Sequence, residues 1–219
     1  MATFKKGILG GFSGTIGNVV GGNWNGIDYM RSKPDNVNNP NTPAQQAQRG
    51  KFGLVMSFLK KIKPIIQAGF VSGNKQRTAF NEASSYNLKN AVKGSVPNLE
   101  IDFPALQIAR GTLIPAEEAS ASSENPAEVS FSWTDNSGMG SAAGDDKALL
   151  LLYNVDKDRA LYVAGNGPLR SEESFNLPTP SSYGGDTVET FIAFVSDDDT
   201  EASDSEYLGS ITVTEPQSP

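Results

Sequence analysis

Two hydrophobic periods divide the chain. Apolar residues at Phe52, Val55, Met56, Leu59 and Ile62 lie on one face of a helix, while Gln46, Arg49, Lys60 and Lys61 fall off it. The helix opens clearly: Thr42 suits the N-cap, Pro43 the first helical position, and Gln45 the reciprocal place of a capping box. Pro64 ends or kinks it, and Ile65, Ile66 and Phe70 continue the apolar surface. After a break at 70–74, a second helix is predicted from Gln76 to Lys93 on Phe80, Ala83, Leu88, Ala91 and Val92, with Gly94 as its stop. From Pro97 the period changes to that of strands. Short runs are predicted at 101–103, 106–109, 129–133, 147–154, 160–164, 173–177, 187–195 and 207–214, and 117–126 reads as a polar loop. Alternation is clean in Val129, Phe131, Trp133 and in Val188, Thr190, Ile192, Phe194. Turn-rich spacers separate the runs, and the last two form a hairpin across 196–205. This is the pattern of an antiparallel β-sandwich of immunoglobulin or fibronectin-III type. Trp133 and Phe175 or Phe194 would anchor its core, and Leu149–Leu152 its most buried strand.

The stretch Gly7–Arg31 fits neither period over its length. Eight of its 25 residues are glycine, and the apolar ones include Ile8, Leu9, Phe12, Ile16, Val19, Val20, Trp24, Ile27, Tyr29 and Met30. Asn25-Gly26 suits a type I′ turn, so 15–24 and 27–31 read as a β-hairpin. So many glycines lose much backbone entropy on ordering, and only outside contacts can hold them in one shape. The expected class is therefore α+β: a glycine-rich β-hairpin arm and two helices in residues 1–96, then the sandwich in 97–219.

Composition narrows the chemistry. The chain has neither cysteine nor histidine. That removes disulfides, thiolates, the commonest general base and the commonest transition-metal ligand. The glycine spacing matches no phosphate-binding loop, and Ser13 in GFSGT has no histidine to activate it. The acidic clusters at Asp145-Asp146, Asp156/Asp158, Asp197–Asp199 and Asp204 sit in predicted turns, where solvated charge is the ordinary reading and weak calcium binding the minor one, and Asp197–Asp204 lacks the glycine of a calcium loop. No catalytic constellation, cofactor or metal site is expected, and the chain reads as a non-enzyme.

Charge adds an asymmetry. The net charge of −7 divides into +9 over residues 1–110 and −16 over residues 111–219. Opposite poles favour docking of one half on the other or head-to-tail association of copies, and equally suit two domains each solubilised by its own sign. The basic residues are spread round the helices rather than striped, so nucleic acid is not an expected partner. No run approaches the length of a membrane span, and the run after Lys5-Lys6 lacks the continuous apolar centre of a signal peptide.

Three stretches, SGTIGNVVGG (13–22), WNGIDYMRS (24–32) and NPNTPAQQAQRGKF (39–52), resemble a family of bacterial proteins known only as a domain of unknown function. The resemblance implies a glycine-rich start, an NPxTPxQ helix opening and a sandwich-like half with a tryptophan strand. It implies no activity. The functional expectation is a structural subunit that self-assembles as a filament, surface appendage or virion component, with copies of itself as partners. Phe12, Ile16, Val19, Val20, Trp24, Ile27 and Tyr29 would form the assembly interface. The alternative is a monomeric module whose sandwich loops bind a protein or glycan. An extracellular assembly or a virion is the expected setting, with a cytoplasmic one left open.

Overall fold

The computed structural model describes residues 2–4, 7, 10–24, 26–36, 40–71 and 77–215. The chain forms two compact units, Met1–Pro43 and Ala44–Pro219. The smaller unit is one antiparallel sheet in the order β1-β2-β3-β4, with β1 Thr3–Phe4, β2 Phe12–Ile16, β3 Val19–Trp24 and β4 Ile27–Ser32.

Three helices begin the larger unit: α1 Pro43–Lys61, α2 Lys63–Gly69 and α3 Ala79–Asn90. α1 opens at the expected proline, and Pro64 falls in the first turn of α2, where its missing N–H costs nothing. The second predicted helix is shorter than expected. Thr78 caps α3, its hydroxyl accepting from the Asn81 N–H at 3.2 Å. At the other end Ala91 N–H closes on Asn87 C=O, and the chain turns into a hairpin of β5 Val92–Ser95 and β6 Asn98–Ile101. Gly94 does adopt positive φ (+83°), but within this hairpin rather than as a helix stop. A Cβ there would lie 2.1 Å from the Asn98 carbonyl oxygen, so only glycine fits the crossing.

The sandwich consists of β7 Glu117–Ser122, β8 Glu128–Thr134, β9 Lys147–Asn154, β10 Arg159–Val163, β11 Ser174–Pro178, β12 Thr187–Val195 and β13 Glu206–Thr212. One sheet runs β11-β8-β7 and the other β10-β9-β12-β13, all neighbours antiparallel. This is an immunoglobulin/fibronectin-III-like sandwich. Between the sheets lie Val129, Phe131, Trp133, Leu150, Leu152, Ile192 and Phe194, all buried. Two expectations along this stretch are corrected. The polar loop at 117–126 contains strand β7, whose inward positions are the half-buried Ala119 and Ala121, too small to make a hydrophobic alternation visible. Conversely 106–109 is a buried coil rather than a strand. Its backbone is satisfied irregularly: Ile108 N–H donates to Ser205 Oγ at 3.0 Å, and Ala109 C=O accepts from Ser205 N–H.

A second core lies on the outer face of the four-stranded sheet. Phe58, Leu59, Ile62, Ile65 and Ile66 of the helices pack with Leu151, Tyr153 and Phe191 of β9 and β12. Phe58 meets Tyr153 edge-on at 4.8 Å between ring centroids. β9 is therefore covered on both faces, which accounts for the unbroken run KALLLLYN where a strand with one wet face would alternate. It also moves the boundary. Composition divides the chain at 96/97, but the helices share a core with the sandwich, and the compact units meet at residue 43.

Arg170 is fully buried at one end of the sandwich. Its Nε donates to Asp146 Oδ2 at 3.0 Å, Nη1 to Asn136 Oδ1 at 2.5 Å, and Nη2 to the Ile114 carbonyl at 2.9 Å. The guanidinium lies 3.8 Å from the Phe194 ring centroid, and the Trp133 indole N–H donates to the Arg170 carbonyl at 2.7 Å. One arginine thus ties the loops before β7, before β9 and before β11 to the inter-sheet core.

Candidate functional site

The seven residues expected to form an interface all lie in the small sheet. β2 and β3 are joined by Gly17-Asn18, with Gly17 at φ +55°, the first-position glycine of a type II′ hairpin turn. Across the next turn Trp24 faces Ile27, and the Gly26 N–H donates to Asn23 Oδ1 at 3.1 Å. Asn25, the other half of the predicted Asn-Gly turn, lies outside the described residues. The strand expected over 15–24 is broken by the Gly17-Asn18 turn, which leaves β3 to begin at Val19, and β4 runs one residue further than expected, to Ser32.

Register sorts the seven into two groups. Gly14 pairs with Gly21 and Ile16 with Val19, while Gly21 pairs with Met30. Alternation then sets Phe12, Ile16, Val19 and Met30 on one face, and Val20, Trp24, Ile27 and Tyr29 on the other. The expected interface is therefore not a single patch. Phe12 and Val20 are half-buried, while Ile16, Val19, Trp24, Ile27 and Tyr29 are exposed. Met30, absent from the expected set, is the most exposed large apolar residue described, at 71 %. Strand alternation with Val19 and Gly21 would have identified it.

Glycines shape both faces. A Cβ on Gly21 would sit 2.7 Å from the Phe12 ring and 2.4 Å from the Phe12 carbonyl oxygen. One on Gly22 would sit 2.8 Å from the Tyr29 ring, directly across the ladder. Each glycine leaves a recess that an aromatic ring occupies, covering backbone that would otherwise be bare. On the polar side Asn23 Nδ2 donates to Asp28 Oδ1 at 2.7 Å, tying β3 to β4 beside the turn.

The larger unit carries a cleft of about 860 Å³ lined by Lys61, Lys157, Asp158, Arg159, Leu161 and Tyr183. Its charges are mostly committed to the fold. Asp158 accepts from Lys61 Nζ of α1 and from the Tyr153 hydroxyl, and Asp186 accepts from Lys157 Nζ and from Asn154 Nδ2. The hydrogen bond from Lys61, then that from Tyr153, holds the Asp158 carboxyl below its ordinary 3.8. Burial first, and then the same bond, pushes the Tyr153 hydroxyl well above its usual range. No nucleophile faces a base here, and among the described residues no three acidic groups converge as a metal site would require.

The Asp158 contact carries a pH dependence. A carboxyl whose folded pKa is depressed stabilises the fold above its unfolded pKa, and that contribution is lost as pH falls through the lower folded value. In urea titrations the native chain should therefore be more stable than Asp158→Asn at pH 6, and the gap should narrow below about pH 4. A gap of equal size at pH 6 and pH 3 would show that the carboxylate's charge contributes nothing.

The profile of a family of unknown function, DUF6266, matches residues 11–209. No curated protein matches the chain. Among solved structures it is similar to the fn3 domain of the human collagen alpha-1(XX) chain. There the identity is 14 %, the TM-score 0.36, and 49 % of this chain and 90 % of that one are covered. The FN1-FN3 domains of chicken CNTN1 give 7 % identity, a TM-score of 0.36, and coverage of 50 % of this chain and 37 % of that one. No helix described is long and apolar enough to cross a membrane.

Proposed function

We propose that this chain, which belongs to the DUF6266 family of unknown function, is a non-enzymatic structural subunit that assembles with copies of itself through its N-terminal glycine-rich sheet. The assembly would be a filament, a surface appendage or a virion. The observation that carries this reading is a thin sheet with apolar side chains on both faces. Trp24 is 52 % exposed, Ile27 59 % and Met30 71 %. A sheet gains independent stability only by packing an apolar face against something, and contiguous apolar surface on a soluble protein marks an interaction site. Six of the twelve large apolar residues that the described chain exposes belong to β2, β3 and β4. The absence of histidine and cysteine from the sequence favours a structural role over catalysis.

Placing charge on one face is the direct test. Trp24→Glu combined with Ile27→Lys puts two charged groups on the same face, opposite each other in the β3–β4 ladder, where they can pair and leave the hairpin formed. By multi-angle light scattering the native chain should form a species larger than a monomer, and the double variant should shift toward the monomer by at least tenfold in dissociation constant. An unchanged assembly would remove this face from the interface.

A second reading, a monomeric binding module, has one observation in its favour. Arg159, the first residue of β10, lines the 860 Å³ cleft, and among the described residues it has no ion-pair partner. A native chain that is monomeric at every accessible concentration would favour that reading.

A further inference from the structure

An edge strand directs half of its backbone groups toward its neighbour and half away from it. In the β3–β4 ladder Trp24 faces Ile27, Gly22 faces Tyr29 and Val20 faces Arg31. The pair flanking a two-residue turn is hydrogen-bonded, and hydrogen-bonded pairs alternate along an antiparallel ladder. Ile27, Tyr29 and Arg31 therefore use their backbone groups on β3, and one step further Lys33 N–H donates to Asn18 C=O at 2.7 Å. Asp28, Met30 and Ser32 point theirs the other way, where the strand order ends. Sheet edges are ordinarily blunted by proline, a bulge, a charge-rich strand or brevity. β1, the opposite edge, is two residues long. β4 is six residues long, all exposed, without proline and without a break in its register.

We infer that β4 pairs antiparallel with β4 of a second copy across a twofold axis, joining two four-stranded sheets into one continuous sheet. This rests on the self-assembly reading above and names its contact. A twofold axis that relates antiparallel strands runs perpendicular to the sheet, so facing residues come from the same face and one residue faces itself. Two registers use the outward groups. Centred on Tyr29, the pairing sets Arg31 against Ile27 and Asp28 against Met30, two charges on two apolar side chains. Centred on Met30, it sets Met30 on Met30, Arg31 over the Tyr29 ring twice, and the Ser32 hydroxyl beside the Asp28 carboxylate twice. The second register sets the Arg31 guanidinium on an aromatic ring where the first leaves it on Ile27, and forms about six backbone hydrogen bonds. The strand is complementary to itself, which makes a second copy the occupant of its edge.

The chain contains no cysteine, so single cysteines report the register directly. A hydrogen-bonded antiparallel pair holds its Cα atoms about 5.5 Å apart, inside the span of a disulfide. Under mild oxidation Met30→Cys should give a covalent dimer in high yield, Tyr29→Cys several-fold less, and Met139→Cys, an exposed position of the other unit, only background. Met30→Pro removes one outward N–H and no bond to β3, and should raise the dissociation constant at least tenfold. If the native chain associates but Met30→Pro associates as tightly, the β4 pairing is wrong while self-assembly stands; Tyr29→Cys cross-linking in preference to Met30→Cys overturns the Met30-centred register. A native chain that light scattering finds monomeric throughout would overturn both.

Discussion

Arg170→Met should lower the stability of the larger unit by about 3–5 kcal/mol, although methionine nearly matches arginine in length and suits a core. The loss arises from what is left behind. Asp146 is buried beside the guanidinium and would be left with only the Ala143 N–H as donor. The Asn136 side-chain oxygen and the Ile114 carbonyl would lose theirs as well. Removing one member of a buried ion pair strands the other, which costs far more than the pair contributes. For a unit of this size the melting temperature should fall by about 6–20 °C, at 2–4 °C per kcal/mol. Arg170→Lys should recover little, because one ammonium cannot reach Asp146, Asn136 and Ile114 together. Adding Asp146→Leu to Arg170→Met should restore part of the loss by removing the stranded charge. A melting temperature unchanged in Arg170→Met would mean that the Arg170–Asp146 pair and its hydrogen bonds contribute nothing to the fold.

The second large effect is expected at Phe58. Its ring is buried in the helical layer, edge-on to Tyr153 at 4.8 Å and 6.2 Å from Phe103. Phe58→Ala should cost about 3–5 kcal/mol, through lost burial and the cavity left between α1 and β9. Where that loss appears matters more than its size. The chain has two tryptophans, and a Trp24→Phe background leaves Trp133, between the two sheets, as the only fluorescent reporter. Because β9 belongs to both cores, Phe58→Ala should lower the urea midpoint read by Trp133 as much as that read by helical circular dichroism. Two separate midpoints would show that helices and sandwich unfold independently, as a division at 96/97 would require.

That division shows how far pattern carried and where it stopped. Local signals were enough for the opening of α1 at Pro43, the helix break at Pro64, the alternating strands β8 and β12, and the buried run in β9. Each depends on a residue's own backbone preference or on the period of its neighbours, and both are written in the chain. β7 was illegible because alanine and serine differ too little in size and polarity to mark an inside and an outside. The coil at 106–109 was illegible for the opposite reason: its residues are apolar enough for a strand, but their backbone groups bond to Asn87 and Ser205, distant in sequence.

The glycine-rich stretch falls between these cases. Its density of glycine, its apolar content and the Asn25-Gly26 pair announce a hairpin, and sequence alone suffices for that. Register decided the rest. Pairing Gly21 with Met30 divides the apolar residues between two faces, adds Met30 to them, and turns Asp28, Met30 and Ser32 outward as an open edge. In the same way strand period and charge determined that the C-terminal half is an acidic sandwich, while only packing decided that three helices cover its second face. Period and propensity are local and can be read along the chain. Register and shared cores are relations between distant segments, and they exist only once the chain has folded.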